Sequence, residues 1–380
     1  MKRVENPYRP GFNEPPKELA GREAVLEDLR EAVEVAALDG RTPRPILLAG
    51  ARGVGKTVLL AETATIAGAR FGWPRVHVEM RPETPFTPDL VDACGRATAL
   101  LDQPPAKRAL QAESVTVRAG VPGIGGEVRF ARAADADNDP TPALRRALTG
   151  LVALATRLES GVVLTIDEAH LSARRELAAL AALLQEGTGE RWPVVVAIAG
   201  LPLMRSPEHS VTYFERGAWH ELGMLSREDS VRALRRPAQA AGRPMDEDAA
   251  SVLAEASGGY PFAVQLYGHY AWRASSGRDT IDLGAAGDAV SRAQEELERG
   301  LYAARWTAAS PSQRRYLAAL AAIAAAGAPT TARAVADELG RTPKQLSSVR
   351  DDLIKQGTLT VEGDKLRFAI PGMGAFVLGR

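Results

Sequence analysis

Two stretches of the sequence hold residue types that do chemistry together. Gly50-Ala51-Arg52-Gly53-Val54-Gly55-Lys56-Thr57 fits the pattern G-x-x-x-x-G-K-[ST] and directly follows an apolar run. Glycines at these spacings let successive backbone N–H groups turn inward around phosphate oxygens, and a helix that starts at the lysine adds its positive end. Lys56 then reaches the β- and γ-phosphates and Thr57 ligates Mg²⁺, with Val58 the next residue of the same anion-binding turn. Further on, Val162-Val163-Leu164-Thr165-Ile166-Asp167-Glu168 ends an apolar strand in two acids. Such a strand delivers carboxylates to the carboxyl edge of a sheet, beside the phosphates. Asp167 suits Mg²⁺ held through water, and Glu168 suits polarising the water that attacks a γ-phosphate. Either stretch alone has a plain alternative, a glycine-rich turn or a buried strand ending in acids, and the pair together predicts a nucleoside triphosphate site. Asp167-Glu168-Ala169-His170 also spells a helicase box, but the chain offers neither a second RecA-like half nor an arginine-rich late helicase motif. His170 reads as a residue behind the site or on the surface.

These residues need a frame. Short β-rich runs at Pro45–Ala49, Arg75–Met80, Val162–Ile166, Val194–Ala199 and Trp219–Leu222 alternate with helical stretches. Three of the runs are almost purely apolar, as strands covered by helices on both faces must be. The alternation predicts an α/β fold over residues 1–222, a parallel sheet with helices on both faces. Residues 1–20 hold four prolines and read as an extended arm leading to a helix over about Glu23–Leu38. Ser114–Arg118 and Glu127–Phe130 alternate polar and apolar residues around Val121–Gly126, which predicts a hairpin insertion over about 113–131. It is either a surface elaboration or a partner or DNA contact.

Beyond Leu222 the β signal stops. Ser226 with Asp229, then Asp246, Pro261, and Asp282 or Gly284 open successive helices, giving a helical lid over 223–307. Over 308–380 the pattern is helix 311–326, helix 331–339, a turn at Gly340, helix 343–356, and strands Leu359–Glu362 and Lys365–Ile370, the signature of a winged helix-turn-helix.

Composition narrows the classes. Lys and Arg number 47 and so do Asp and Glu, so no global field marks a nucleic-acid or membrane binder and any such surface is local. Cys94 is the single cysteine, which excludes intramolecular disulfides and a Cys-based zinc cluster and fits a reducing cytoplasm. The N-terminus lacks the apolar core of a secretory signal. The longest nearly uncharged apolar run, Tyr316 to Ala328, is shorter than the ~18 residues of a membrane span and reads as a buried helix.

With these elements the chain resembles the AAA+ P-loop ATPases of the origin-recognition and initiator-like clade, in particular bacterial Orc/STAND-like ATP-binding proteins with a C-terminal winged helix. The likeness rests on Leu19-Ala20-Gly21-Arg22-Glu23 before the first helix, both phosphate-site motifs, Ala199-Gly200-Leu201-Pro202 after the fourth strand, Glu215-Arg216 before the fifth, Gly259-Tyr260-Pro261 in the lid, and the terminal domain. The resemblance implies ATP or ADP with Mg²⁺ as ligands and slow ATP hydrolysis. It implies that Leu19, Gly21 and Arg22 border the adenine and that Pro261 packs near the base. It also implies that Arg216 serves as an arginine finger in trans within a homo-oligomer. Two departures favour a switch over a fast enzyme. Ala199-Gly200 stands where many relatives supply a polar Asn or Thr, and Tyr260-Pro261-Phe262 stands where initiators often supply an arginine to the γ-phosphate.

In the predicted recognition helix Leu346, Val349 and Leu353 share a core stripe, leaving Lys344, Ser347, Ser348, Asp351 and Lys355 on the outer face. Lys344, Ser347, Ser348 and Lys355 suit contacts in a major groove of double-stranded DNA, with Lys365 and Arg367 reaching the flanking backbone. From Ala308 to Arg380 ten Lys and Arg stand against six Asp and Glu, a local +4 that leaves −4 for the rest of the chain. Winged helices also dock proteins, so a signalling or scaffolding switch is the alternative.

Overall fold

The structure, a computed structural model, describes residues 5–11, 14–103, 139, 141–172, 174–205 and 211–380. The hairpin predicted over 113–131 lies outside the described residues. The first half alternates as expected: α1 (Glu23–Leu38), β1 (Ile46–Gly50), α2 (Lys56–Phe71), β2 (Arg75–Glu79), α3 (Thr87–Leu101), α4 (Thr141–Arg157), β3 (Val162–Asp167), α5 (Arg174–Gly189), β4 (Val194–Gly200), the short α6 (Thr212–Glu215) and β5 (Ala218–Leu222). The strands form one sheet in the order β2-β3-β4-β1-β5, with every neighbouring pair parallel.

Strand alternation sorts the apolar side chains between two cores. Ile46, Leu48 and Val163 face α1 and α2, packing with Leu29, Leu59 and Leu60, whereas Leu47, Leu164 and Val196 face α3, α4 and α5. Leucines such as Leu59 and Leu60 are fully buried, each stabilising the sheet by roughly 1.5–3 kcal/mol. The register sets Ala49 beside Gly200, Gly50 beside Leu222 and Asp167 beside Glu79, so both phosphate-site motifs leave the same edge of the sheet.

Four helices follow: α7 (Arg227–Ala240), α8 (Glu247–Ser257), α9 (Pro261–Ala274) and α10 (Leu283–Leu297). Ser226 Oγ accepts from Asp229 N at 3.0 Å to cap α7. Asp282, not Gly284, opens α10, because its carboxylate accepts from Ala285 N at 2.8 Å. The helix then continues through a π turn at Glu298–Tyr302 into α11 (Ala303–Ala308).

The C-terminal domain holds α12 (Pro311–Ala325), α13 (Ala332–Glu338), a 3₁₀ turn at Pro343–Leu346, α14 (Ser347–Lys355), the antiparallel pair β6 (Leu359–Glu362) and β7 (Lys365–Phe368), and α15 (Met373–Leu378). The helix expected over 343–356 is therefore broken in two. Thr342 and Gln345 close a reciprocal capping box that tightens the first turn. The last strand ends at Phe368, short of the expected Ile370, although Ala369 N still donates to Thr358 O at 3.0 Å in the same antiparallel register. A single apolar core runs from Leu234 and Tyr267 in the four-helix region to Leu353 and Leu366 in the C-terminal domain. No helix among the described residues is long and apolar enough to cross a membrane.

The arm is strapped onto this helical body. Tyr8 is buried against Gly268, where an added Cβ would lie 2.4 Å from its ring, and its hydroxyl donates to Leu234 O. Arg9 N donates to Gln265 Oε1 at 3.1 Å. Gly268 and His269 thus pack against the arm, with Asn6 Nδ2 standing 3.0 Å from His269 Nδ1.

Candidate functional site

The loop from Gly50 to Gly55 turns on two left-handed glycines, Gly53 at φ 79° and Gly55 at φ 97°. At Gly53 nothing larger fits, since a Cβ would come within 1.9 Å of the Tyr260 hydroxyl. Lys56, the first residue of α2, is buried and donates to Gly50 O at 2.9 Å and Ala51 O at 2.7 Å. Thr57 Oγ1 donates to Asp167 Oδ2 at 2.5 Å, while Asp167 Oδ1 accepts from Glu168 N at 2.8 Å. The two motifs are thereby joined across the sheet edge, with β4 between their strands.

Glu168 sits at φ 52°, a left-handed conformation that costs a side-chain-bearing residue energy and turns it sharply off β3. Burial raises its pKa above the ordinary carboxylate value, with Arg52 and Lys56 opposing that rise. Burial lowers the Lys56 pKa, and Glu168 and Asp167 oppose that fall. Cation and carboxylate thus oppose the loss of charge that burial favours in this partly desolvated mouth.

His170 lies behind this carboxylate, not on the surface. Its ring is buried, its Nδ1 accepts from Leu201 N at 3.3 Å, and its Nε2 stands 3.4 Å from Glu168 Oε2. Accepting at Nδ1 puts the hydrogen of a neutral ring on Nε2, facing Glu168. Leu201 follows β4, and at Gly200 an added Cβ would come within 2.1 Å of Met204 Sδ. The strand end where the sequence lacks a polar residue is thus closed to any side chain.

A cleft of about 440 Å³ opens over the loop, walled by the arm at Pro10, Leu19 and Ala20 and by the lid at Pro261, Phe262 and Gln265. Arg52, Gly53, Val54, Gly55, Lys56, Thr57 and Val58 form its floor. Gly50 and Ala51 lie beneath the floor and hold Lys56. Of the expected arm contacts Leu19 and Arg22 line the cleft, and Gly21 does not. Gly21 makes a left-handed turn at φ 69° packed on Asp229, a structural position away from the cavity wall. Arg22 is pinned, donating to Val54 O at 3.2 Å and Gly223 O at 2.7 Å, so it ties the phosphate loop to the exit of β5. Arg216 is exposed at the end of α6 and does not line the cleft of its own chain. Sequence reasoning missed Arg305, which enters the wall from α11, and no motif near it could have disclosed this.

On the C-terminal domain Lys344, Ser348, Lys355, Lys365 and Arg367 are exposed, and Leu346 and Leu353 are buried as the stripe requires. Two of the expected contact residues also have partners within the chain. Ser347 is half-buried and its hydroxyl donates to Lys344 O at 2.9 Å, closing the 3₁₀ turn instead of facing outward. Arg367 Nε is ion-paired with Glu362 Oε2 at 2.7 Å, which offsets its charge.

Residues 18–197 match the AAA ATPase domain, and residues 299–377 match a domain of unknown function, DUF8462. No curated protein matches the chain. Among solved structures the chain is similar to the Walker-type ATPase paby2304 of Pyrococcus abyssi, at 17% identity and TM-score 0.62 over 96% of this chain and 97% of that one. It is similar to Cdc6p from Pyrobaculum aerophilum at 16% identity and TM-score 0.52, covering 98% and 96%. A RuvB variant from Thermotoga maritima aligns at 20% identity and TM-score 0.50, covering 94% and 96%. The fold is that of the P-loop AAA+ ATPases, followed by helices and a small antiparallel sheet.

Proposed function

We propose that the chain binds ATP, hydrolyses it slowly, and uses the ATP or ADP state of its cleft as a switch acting on double-stranded DNA. In this reading residues 1–222 form the nucleotide-binding domain, 223–307 the lid and 308–380 a winged helix, in a cytoplasmic protein. The observation that carries the proposal is the 2.5 Å contact of Thr57 with Asp167, set beside Lys56 and Glu168 at the mouth of the cleft. One hydroxyl and one carboxylate form the sparse protein ligand set that suits Mg²⁺, which keeps waters and phosphate oxygens for its remaining positions. Bound there, the ion would neutralise charge on the β- and γ-phosphates.

The side chains do the rest. Lys56 exchanges the Gly50 and Ala51 carbonyls for phosphate oxygens, an acceptor set of higher charge. Glu168, whose Oε2 stands 3.4 Å from His170 Nε2, is placed to take a proton from the attacking water as the new O–P bond forms and the bond to the ADP oxygen breaks. His170 positions that carboxylate. The apolar end of the cleft, at Leu19, Pro261 and Phe262, suits the base, with Arg22 bracing the loop beside it. Arg216, exposed and outside its own cleft, suits a role in trans on a neighbouring copy. Slow turnover is expected because Ala199-Gly200 brings no polar group to the water.

Lys344, Ser348, Lys355 and Lys365 on a domain of local +4 support DNA as the partner. Exposed Val361 and the Arg367–Glu362 pair favour the second reading, a STAND-like signalling or scaffolding switch that docks protein. Fluorescence anisotropy on a duplex pool at two salt concentrations, with ATP, with ADP and without nucleotide, separates the readings. Salt-sensitive binding that depends on ATP and is lost in Lys56→Ala supports DNA; ATP binding without DNA binding in any state transfers the proposal to a protein partner.

A further inference from the structure

The C-terminal domain touches the phosphate loop. Gly357, at φ 67° just after α14, lies beside Arg52, and a Cβ there would make ordinary van der Waals contact with Arg52 Cγ and Cδ at 3.5 Å. One residue earlier, the Gln356 carbonyl accepts from Arg305 Nη1 at 2.9 Å. That carbonyl belongs to the C-terminal end of α14, where helix carbonyls lack intrahelical donors and a cation is favoured. Arg305 lies on α11, in the stretch matched by the domain of unknown function, and also lines the nucleotide cleft beside Arg52, Glu168 and Tyr260.

The charges at this junction are unbalanced. Arg52 and Arg305 line the same cleft, and burial, then Arg52, lower the Arg305 pKa, with Tyr260 and Glu168 opposing. Among the described residues neither is within salt-bridge distance of a carboxylate, and Arg52 Nε is buried without a hydrogen-bond partner. Two converging guanidinium forks beside a buried lysine form a site for a polyanion that a single carbonyl does not satisfy.

We propose that Arg305 is shared between two acceptors: without a γ-phosphate it caps α14 through Gln356, and with ATP bound it turns to the γ-phosphate and releases the Gln356–Gly357 turn from the phosphate loop. This rests on reading the cleft as an ATP site and names how that site reports to the C-terminal domain. The released element is the end of α14, whose outer face carries Ser348 and Lys355. The arginine that the lid lacks at Pro261 is supplied from α11, at the lid's C-terminal end, next to the module that has to respond.

The test uses the full chain and Arg305→Gln, which keeps a donor for the Gln356 carbonyl and removes the charge. Each is titrated with ADP and with a non-hydrolysable ATP analogue in the presence of Mg²⁺, and deuterium uptake is followed over residues 353–359. The expected result is a ratio of ATP-analogue to ADP affinity at least tenfold lower in Arg305→Gln. Uptake over 353–359 rises with the analogue but not with ADP in the parent chain, and with neither in the variant. An unchanged affinity ratio, including a proportionate loss of both ligands, overturns the proposal, as does equal uptake with both nucleotides in the parent chain. Should Arg305→Gln fail to fold, Arg305→Lys gives the same ratio: a point charge replaces the fork, so the ratio falls, and an unchanged one overturns the proposal. A parent chain that binds neither nucleotide overturns the ATP reading itself.

Discussion

The nucleotide cleft and the outer face of the C-terminal domain use the same residue types in opposite ways. In the cleft Lys56, Thr57 and Asp167 bond to one another or to backbone carbonyls at 2.5–2.9 Å, partly desolvated. On the outer face Lys344, Lys355 and Lys365 stand in solvent, and Arg367 is already spoken for by Glu362. A charge fixed in a desolvated mouth acts through geometry, so one truncation is decisive. A solvated charge acts through the summed field and is screened by salt, so its effect appears only when several change together.

The largest expected effects lie in the cleft and would sharpen that contrast. Glu168→Gln should retain ATP and lose turnover by roughly 10²–10⁴-fold, the usual contribution of a positioned base. Lys56→Ala should lose ATP binding itself, leaving buried carbonyls at Gly50 and Ala51 with no donor. A malachite-green phosphate assay beside equilibrium ATP binding separates the two outcomes. Turnover unaltered in Glu168→Gln would remove that residue from the proton-transfer role and break the contrast at its strongest point.

What was legible in the sequence follows the same division. Wherever the backbone alone fixes the arrangement, spacing was enough. The glycines of the phosphate loop, the apolar runs that became β1 and β3, and the caps at Ser226 and Asp282 all act over a few residues and appear where their spacing puts them. Gly21 illustrates the limit. Its place before the first helix was legible, but which neighbour it faces is set by α7, more than two hundred residues on, and that neighbour is Asp229 and not the cleft. Ser347 and Arg367 take partners within the chain for a local reason. Short polar side chains and paired charges satisfy themselves nearby, and helical periodicity carries no signal of a 3₁₀ turn or a cross-strand ion pair. Arg305 could not be found at all, because only the folded packing brings α11 to the wall of the cleft.

Burial also shifts protonation beneath the cleft, and this gives the next largest expected effect. His77 on β2 accepts from Arg75 Nη2 at 2.9 Å through Nδ1, and burial, then Arg75, hold its pKa down to about 4. The unfolded chain takes up a proton near the ordinary value of 6.5, and the folded chain does not until about pH 4. Stability attributable to neutral His77 is therefore full above pH 6.5 and lost as pH falls toward 4, by up to about 3 kcal/mol. Urea unfolding of the parent chain and His77→Gln at pH 7, 5.5 and 4.5 checks this: the gap between the two chains should narrow on acidification. Parallel curves would mean that the ring is solvated like the lysines of the outer face, and the contrast between interior and face would not extend to the sheet.

The smallest expected effect belongs to the face itself. Lys344→Glu with Lys355→Glu reverses two solvated charges on a domain of local +4. If both lysines meet phosphates, the slope of log K against log salt for duplex DNA should fall by roughly two, because each phosphate contact contributes about 0.9. The same pair should leave ATP affinity unchanged, since neither lysine lines the cleft. Either substitution alone should move the slope by about half as much, as independent contacts in a screened field require. A single lysine that carries the whole change would show instead that this face holds one fixed contact of the kind found in the cleft, and an unchanged slope in the double variant would take DNA off this surface altogether.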